Sequence, residues 1–369
     1  MTRPPLALAA LLAAATGPLA AQENLYPRPS AYSGVEFRRY DFEAGASVDA
    51  IRQVAIPIAA VVPVGRRLSV DIGTYYASTV VYAGGSHESF NGFTDTQLRA
   101  SYIFGNDVVV ASVLVNLPTG DETTSIRNFN VASAASSNFL AFPVNSYGAG
   151  TSVTGGLAAA FAAGSWNLGA AASVRVSSEY QPFTDAGNTS VRYQPGVESR
   201  FRIGADRLIG SSRLTLGLAF STFGNDEFSG LSGGGGGTGE SSPGNRFLAQ
   251  AALLAPVGSG AINFYAWNFY RSATSDLSNR ENIFTLGGSG SFRLGERLAL
   301  EPLLEGRVWS PEDGSGFLVG GGAALRLDLT DRFTVLPGGR FDVGRVEGAT
   351  GGEITLTGWG ASAFLRYSF

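Results

Sequence analysis

Between Ser33 and Phe369 the chain repeats one unit, a run of about ten residues in which apolar and polar side chains alternate with period two, then a tight turn, a second such run, and a polar connection of variable length. The runs fall at 35 to 45, 53 to 64, 68 to 83, 94 to 104, 108 to 117, 151 to 163, 166 to 180, 193 to 208, 213 to 223, 245 to 256, 261 to 272, 282 to 294, 298 to 308, 315 to 328, 333 to 347 and 354 to 369. Seven tight turns join them in pairs, at Val64 to Arg67, Gly105 to Asp107, Ala163 to Ser165, Gly210 to Ser212, Gly258 to Gly260, Gly295 to Arg297 and Thr330 to Arg332. A closed barrel with both termini on one side has one turn fewer on that side than half its strands. Seven turns therefore predict an all-β, antiparallel up-and-down barrel of sixteen strands, or fourteen if the first region does not insert. The longest connections, Pro118 to Gly150 and Gly224 to Gly244, lie on the other side and are expected to be extracellular loops. His87 falls in a shorter one, Gly84 to Phe93.

What the two faces of each run contain decides the solvent. In 298 to 308, Leu298, Leu300, Pro302, Leu304, Gly306 and Val308 share one face, and Glu301, Glu305 and Arg307 share the other with Ala299 and Leu303. The run from Tyr193 sorts in the same way, Phe201 and Ile203 against Glu198, Arg200, Arg202 and Asp206. So do Val174 and Val176 against Arg175 and Glu179, and Phe317, Val319, Leu325 and Leu327 against Arg326 and Asp328. An Arg facing lipid at the midplane costs roughly 2–4 kcal/mol, so sorting this regular predicts a transmembrane barrel with an apolar outside. A soluble cylinder of that many strands is too wide for side chains to fill, and no blade-length repeat supports a propeller.

Composition places this barrel in the outer membrane of a double-membraned bacterium. Residues 1 to 21 pair Arg3 with an Ala/Leu stretch and small residues before Gln22, the pattern of a cleaved secretory signal peptide; the stretch is short for a membrane anchor. Residues 22 to 33 then form a lead-in, a flexible tail or a lumenal plug, ahead of a barrel over 34 to 369. Of the whole chain only 15% is charged, with 50 Gly and no Cys, which removes thiolate chemistry. The net charge of −4 offers no basic footprint for nucleic acid.

No catalytic constellation, cofactor motif or metal site is expected, and no enzyme activity. His87 is the single histidine, and the acids Asp121, Glu122, Asp226 and Glu227 lack calcium-loop spacing. The candidate functional residues are the charges predicted to line the lumen: those above together with Asp95, Arg99, Arg340, Asp342 and Arg366. They either pair across strands as a hydrated wall or set up a transverse field along a permeation path. In the final run Trp359, Ala361, Ala363, Leu365, Tyr367 and Phe369 share the outward face. That pattern resembles the signal by which barrel-assembly machinery recognises its substrates, with Trp359, Leu365, Tyr367 and Phe369 as its main elements.

The stretch Asn116-Leu117-Pro118-Thr119-Gly120-Asp121, with Gly92-Phe93-Thr94-Asp95-Thr96-Gln97-Leu98 and Tyr102 before it, resembles outer-membrane channels linked to phenol and aromatic-compound catabolism. These belong to the long-chain fatty-acid and hydrocarbon transporter group (FadL type). The resemblance covers residues 53 to 121 and implies passage of a hydrophobic or aromatic small molecule. The group usually has fourteen strands and an Asn-Pro-Ala element in an N-terminal plug, which this sequence lacks.

The expected function is thus an outer-membrane channel for passive uptake of small molecules, embedded in outer-membrane lipid as a monomer. The competing expectation is a structural barrel with a closed lumen whose loops bind a partner.

Overall fold

The computed structural model describes residues 29–43, 46–105, 108–121, 124–184, 190–231, 237–274, 280–348 and 352–369. The expected signal peptide, 1 to 21, and most of the expected lead-in lie outside them.

The chain runs β1 (Ser30–Phe42), β2 (Ala50–Val64), β3 (Leu68–Ala83), β4 (Ser86–Phe93), β5 (Thr96–Phe104), β6 (Val109–Leu117), β7 (Thr124–Ser125) and helix α1 (Ile126–Ala135). It continues through β8 (Ser152–Ala163), β9 (Trp166–Ser177), β10 (Tyr180–Thr184), β11 (Ser190–Gln194), β12 (Glu198–Ile209), β13 (Ser212–Phe223), β14 (Asp226–Leu231) and β15 (Gly237–Ser241). The last seven are β16 (Arg246–Val257), β17 (Gly260–Arg271), β18 (Glu281–Arg293), β19 (Leu298–Pro311), β20 (Gly314–Asp328), β21 (Phe333–Gly348) and β22 (Glu353–Ser368).

Sixteen antiparallel strand positions close into a barrel, β22 pairing with β1 from Ser30↔Ser368 to Phe42↔Leu356. β4 and β5 both pair with β3, above and below a break at Thr94-Asp95, and together make the fourth position. Six of the short turns fall where expected, and Asn106 and Asp107 of the seventh lie outside the described residues. At Gly164 and Gly210 the backbone has φ +61°, a left-handed geometry that glycine adopts without strain.

Large apolar residues stand outward in a continuous belt; Leu304 is 64% exposed, Leu157 61% and Ile203 57%. So much contiguous apolar surface is untenable in water and matches hydrocarbon. Phe37 stacks on Trp359 and Tyr367 on Phe369 across this outer face.

Several expected boundaries move. β1 begins at Ser30, so Ser30 to Ser33 belong to the barrel wall rather than to a lead-in. Gly84 to Phe93 is a hairpin, not a loop, and His87 sits in β4 opposite Tyr82. β9 stops at Ser177, which places Glu179 beyond the wall, where it pairs with Arg192 at 3.4 Å.

The expected strand from Tyr193 is divided. Pro195 lacks a ladder donor, and the Gly196 N–H bonds the Asp226 carboxylate at 2.7 Å, so β11 ends before β12 starts. β11 instead joins a second sheet of five strands, ordered β15-β14-β11-β10-β7. That sheet occupies part of the expected loop Gly224 to Gly244 and continues the wall at the end away from the short turns.

Candidate functional site

The expected loop Pro118 to Gly150 is the largest departure, because it folds into the barrel. It enters through β7, which pairs in parallel with β10. Ser125 caps α1, its hydroxyl accepting the Asn128 N–H at 3.2 Å, and the helix ends when the Ser136 N–H turns back to Ser133. The run Phe139-Leu140-Ala141-Phe142-Pro143-Val144 then buries itself against the inner wall. Phe139, Leu140 and Phe142 form one core with Tyr40, Ile51, Ile283, Leu318 and Leu356, and Val144 and Tyr147 form another with Ala55, Ala77 and Phe90.

Backbone groups of this segment are met by inward side chains. Gln53 brackets Val144, donating to its carbonyl at 2.7 Å and accepting its N–H at 2.8 Å. Tyr40 donates to Leu140 O at 3.1 Å, Arg307 to Phe139 O at 2.8 Å, and Arg38 to Ala141 O. The Tyr147 hydroxyl meets Thr79 at 2.7 Å.

Asp95 secures the segment's two ends together. Its carboxylate accepts Asn116 Nδ2 at 2.8 Å, the Gly120 N–H at 3.0 Å and the Ala149 N–H at 2.7 Å, while its own N–H bonds Tyr147 O at 2.9 Å. That use of the Asp95 N–H accounts for the break between β4 and β5.

The structure brings together four of the predicted charges beneath the segment. Glu305 takes Arg307 at 2.6 Å and Arg340 at 3.2 Å, and Arg340 reaches Asp342 at 2.8 Å. Tyr265 donates to Glu305 at 2.8 Å. Asp342 is 1% exposed, and every charge here has an opposite partner, as buried charges require.

The other predicted residues are spread around the interior. Arg99 pairs with Asp71, Arg200 with Glu198 at 2.7 Å, and Arg326 with Asp328 at 3.2 Å. Asp206 pairs with Arg213 at 3.2 Å, and Arg175 donates to Ser152 at the same distance. Arg202 and Glu301 sit half-buried on the inward faces of β12 and β19. Arg366 is exposed at the short-turn end of β22. Asp226, weighed above as a cation ligand, accepts the Tyr193 hydroxyl at 2.6 Å besides Gly196.

Sequence reasoning missed the anchors Arg38, Tyr40 and Gln53, and the inward cations Arg213, Arg246 and Arg271. Period-two parity, applied to the expected runs, would have found all but Arg38's carbonyl partner: Phe247 and Tyr270 face outward, so Arg246 and Arg271 face in.

The inner wall has two unlike halves. The anchors named above lie on β1 to β4 and on β18 to β22 with Tyr265 of β17. Across β8, β9, β12, β13 and β16 the inward residues are largely small: Thr154, Gly156, Ala158, Ala171, Ser173, Gly204, Gly217, Ala219, Ser221 and Ala252. Charges stand above this floor of small side chains.

The sequence matches no protein-family model and no curated protein. Among solved structures it is similar to in-vitro folded OmpT of Vibrio cholerae, at 11% identity over 92% of this chain and 97% of that one, with a TM-score of 0.42. It is also similar to OprB of Pseudomonas putida, at 9% identity over 92% and 94%, TM-score 0.48. A third is a mutant of the TodX monoaromatic hydrocarbon channel, at 10% identity over 93% and 90%, TM-score 0.47. With identities near 10% and TM-scores below 0.5, these likenesses assign nothing to this chain. The sixteen strands also depart from the fourteen usual in the group that residues 53 to 121 resemble.

Proposed function

We propose that the protein is a passive diffusion channel of the outer membrane, its short turns periplasmic and its long connections extracellular, in which residues 118 to 151 narrow the lumen. The observation that carries this reading is the division of the interior. The inserted segment packs on one half of the wall, and the opposite half is lined by small side chains with charges above them. Sixteen-stranded barrels are wide enough to enclose an aqueous passage, and a segment anchored by side-chain bonds from β1, β2, β3 and β19 and from Asp95 is a fixed constriction rather than a loose plug.

The solute is a small molecule. The resemblance of residues 53 to 121 to aromatic-compound channels favours a hydrophobic or aromatic one, which uptake of a labelled aromatic hydrocarbon into proteoliposomes tests.

Single-channel recording in planar bilayers, with liposome swelling in neutral sugars, tests the channel itself. Discrete conductance steps and swelling are expected. Impermeability to every ion and sugar with the segment intact would sink the proposal and favour the closed, partner-binding barrel.

A further inference from the structure

The half of the wall without anchors carries an imbalance of charge. On the inward faces of β8, β9, β12, β13 and β16 stand five arginines, Arg175, Arg200, Arg202, Arg213 and Arg246, against two acids, Glu198 and Asp206. Arg213 and Asp206 neutralise one another low in the wall.

The remainder gather near the loop end. Arg200 faces Ser221, Ser221 faces Arg246, and Arg246 faces Arg271 across successive strands, so three arginines lie in one cross-strand row of the wall. Three strand spacings place them along an arc of about 14 Å. The acids beside this row are engaged: Glu198 by Arg200 at 2.7 Å, and Glu281 by Arg271 at 3.6 Å and by the Trp309 indole at 3.0 Å. Arg246 lies over the Phe223 ring at 4.7 Å. The buried Nε–H groups of Arg246 and Arg271 have no hydrogen-bond partner among the described residues, and an orphaned donor of this kind is costly unless something accepts from it.

The inserted segment places no described acid beside these arginines: Asp121, at its start, is exposed next to Gly92 of β4. Its described residues 124 to 150 contain a single charged side chain, Arg127, which pairs with Glu88 of β4 at 3.1 Å.

We infer that the open half of the lumen selects for anions, and that the solutes it favours carry a carboxylate or phosphate-type oxyanion. This rests on the channel reading above. Guanidinium forks match the planar and tetrahedral oxyanions through paired N–H donors, and rings of Arg are a recognised basis of anion selectivity in pores. The chain's net charge of −4 points the other way. It does not decide, because in salt a permeating ion feels charges within a Debye length of about 10 Å.

The test is the reversal potential of the full-length protein in a planar bilayer under a tenfold KCl gradient, with inorganic phosphate then added as a probe. Chloride should permeate faster than potassium, and phosphate should reduce the chloride current. The double variant R246Q/R271Q should lower the chloride-to-potassium ratio about five-fold, and R246K/R271K should keep it. A cation-selective or unselective wild-type channel, or one indifferent to phosphate, overturns the inference whatever the variants do. So does an unchanged ratio in R246Q/R271Q. Absence of any conductance is a different failure, that of the channel reading itself.

Discussion

Asp95 shows how much of this architecture hangs on single side chains. It is 7% exposed and accepts the backbone N–H groups of Gly120 and Ala149 and one of the two amide N–H groups of Asn116, whose other donates to Gly150 O at 2.8 Å. Asp95→Ala leaves them stranded and is expected to cost about 3 kcal/mol, read as a lower urea midpoint, and to raise single-channel conductance as the segment loosens. A close approach matters equally at Gly358, where a Cβ would overlap the Tyr40 ring. Gly358→Val should displace Tyr40 from Leu140, and faster proteolysis within residues 136 to 150 would report it. In the outer sheet, burial and then the Asp226 carboxylate push the Tyr193 phenol above its ordinary value of 10.0. A raised folded-state pKa means that the protonated form stabilises the sheet fully below about pH 10, a contribution lost as the pH climbs further. Alkaline titration should therefore show a stability loss above pH 10 that Tyr193→Phe lacks.

At the scale of elements, the inserted segment behaves as a separable addition to the barrel. Between Phe139 and Val144 its bonds run to side chains of the wall, whereas the wall's own ladder from β1 to β22 closes without it. Replacing residues 126 to 146 by a short Gly/Ser linker is thus expected to leave the β-type circular dichroism unchanged and to raise conductance several-fold; unchanged conductance would show that the segment is not the constriction. The strands themselves were legible because each had to satisfy lipid on one face and water on the other, which imprints parity on every residue. Residues 118 to 150 carry no such imprint. The two visible cues were the Ser125 cap and the apolar run Phe139 to Val144, out of place in a solvated loop. The outer sheet was hidden for a related reason, since its strands, none longer than the six residues of β14, are too short to imprint a readable alternation.

For the whole molecule, the lipid belt and the interior obey opposite rules, and exchanging them should be costly. Leu304→Arg on the outer face should cost roughly 2–4 kcal/mol if it lies near the midplane, measured by equilibrium unfolding in lipid vesicles, whereas Gln250→Arg on the inner wall should cost far less. By itself the sequence determined the barrel, a count of sixteen strands or fourteen, and the face on which a charge falls within each wall strand, though not that Glu179 lies beyond the wall, since a period of two leaves only two faces and the bilayer admits one kind on the outside. Only the tertiary structure decided which inward charges meet. Arg307, Arg340, Glu305 and Asp342 converge beneath the segment, and Arg200, Arg246 and Arg271 share one cross-strand row, through barrel closure and strand register. Those are relations between residues far apart in the chain, and local alternation carries no information about them.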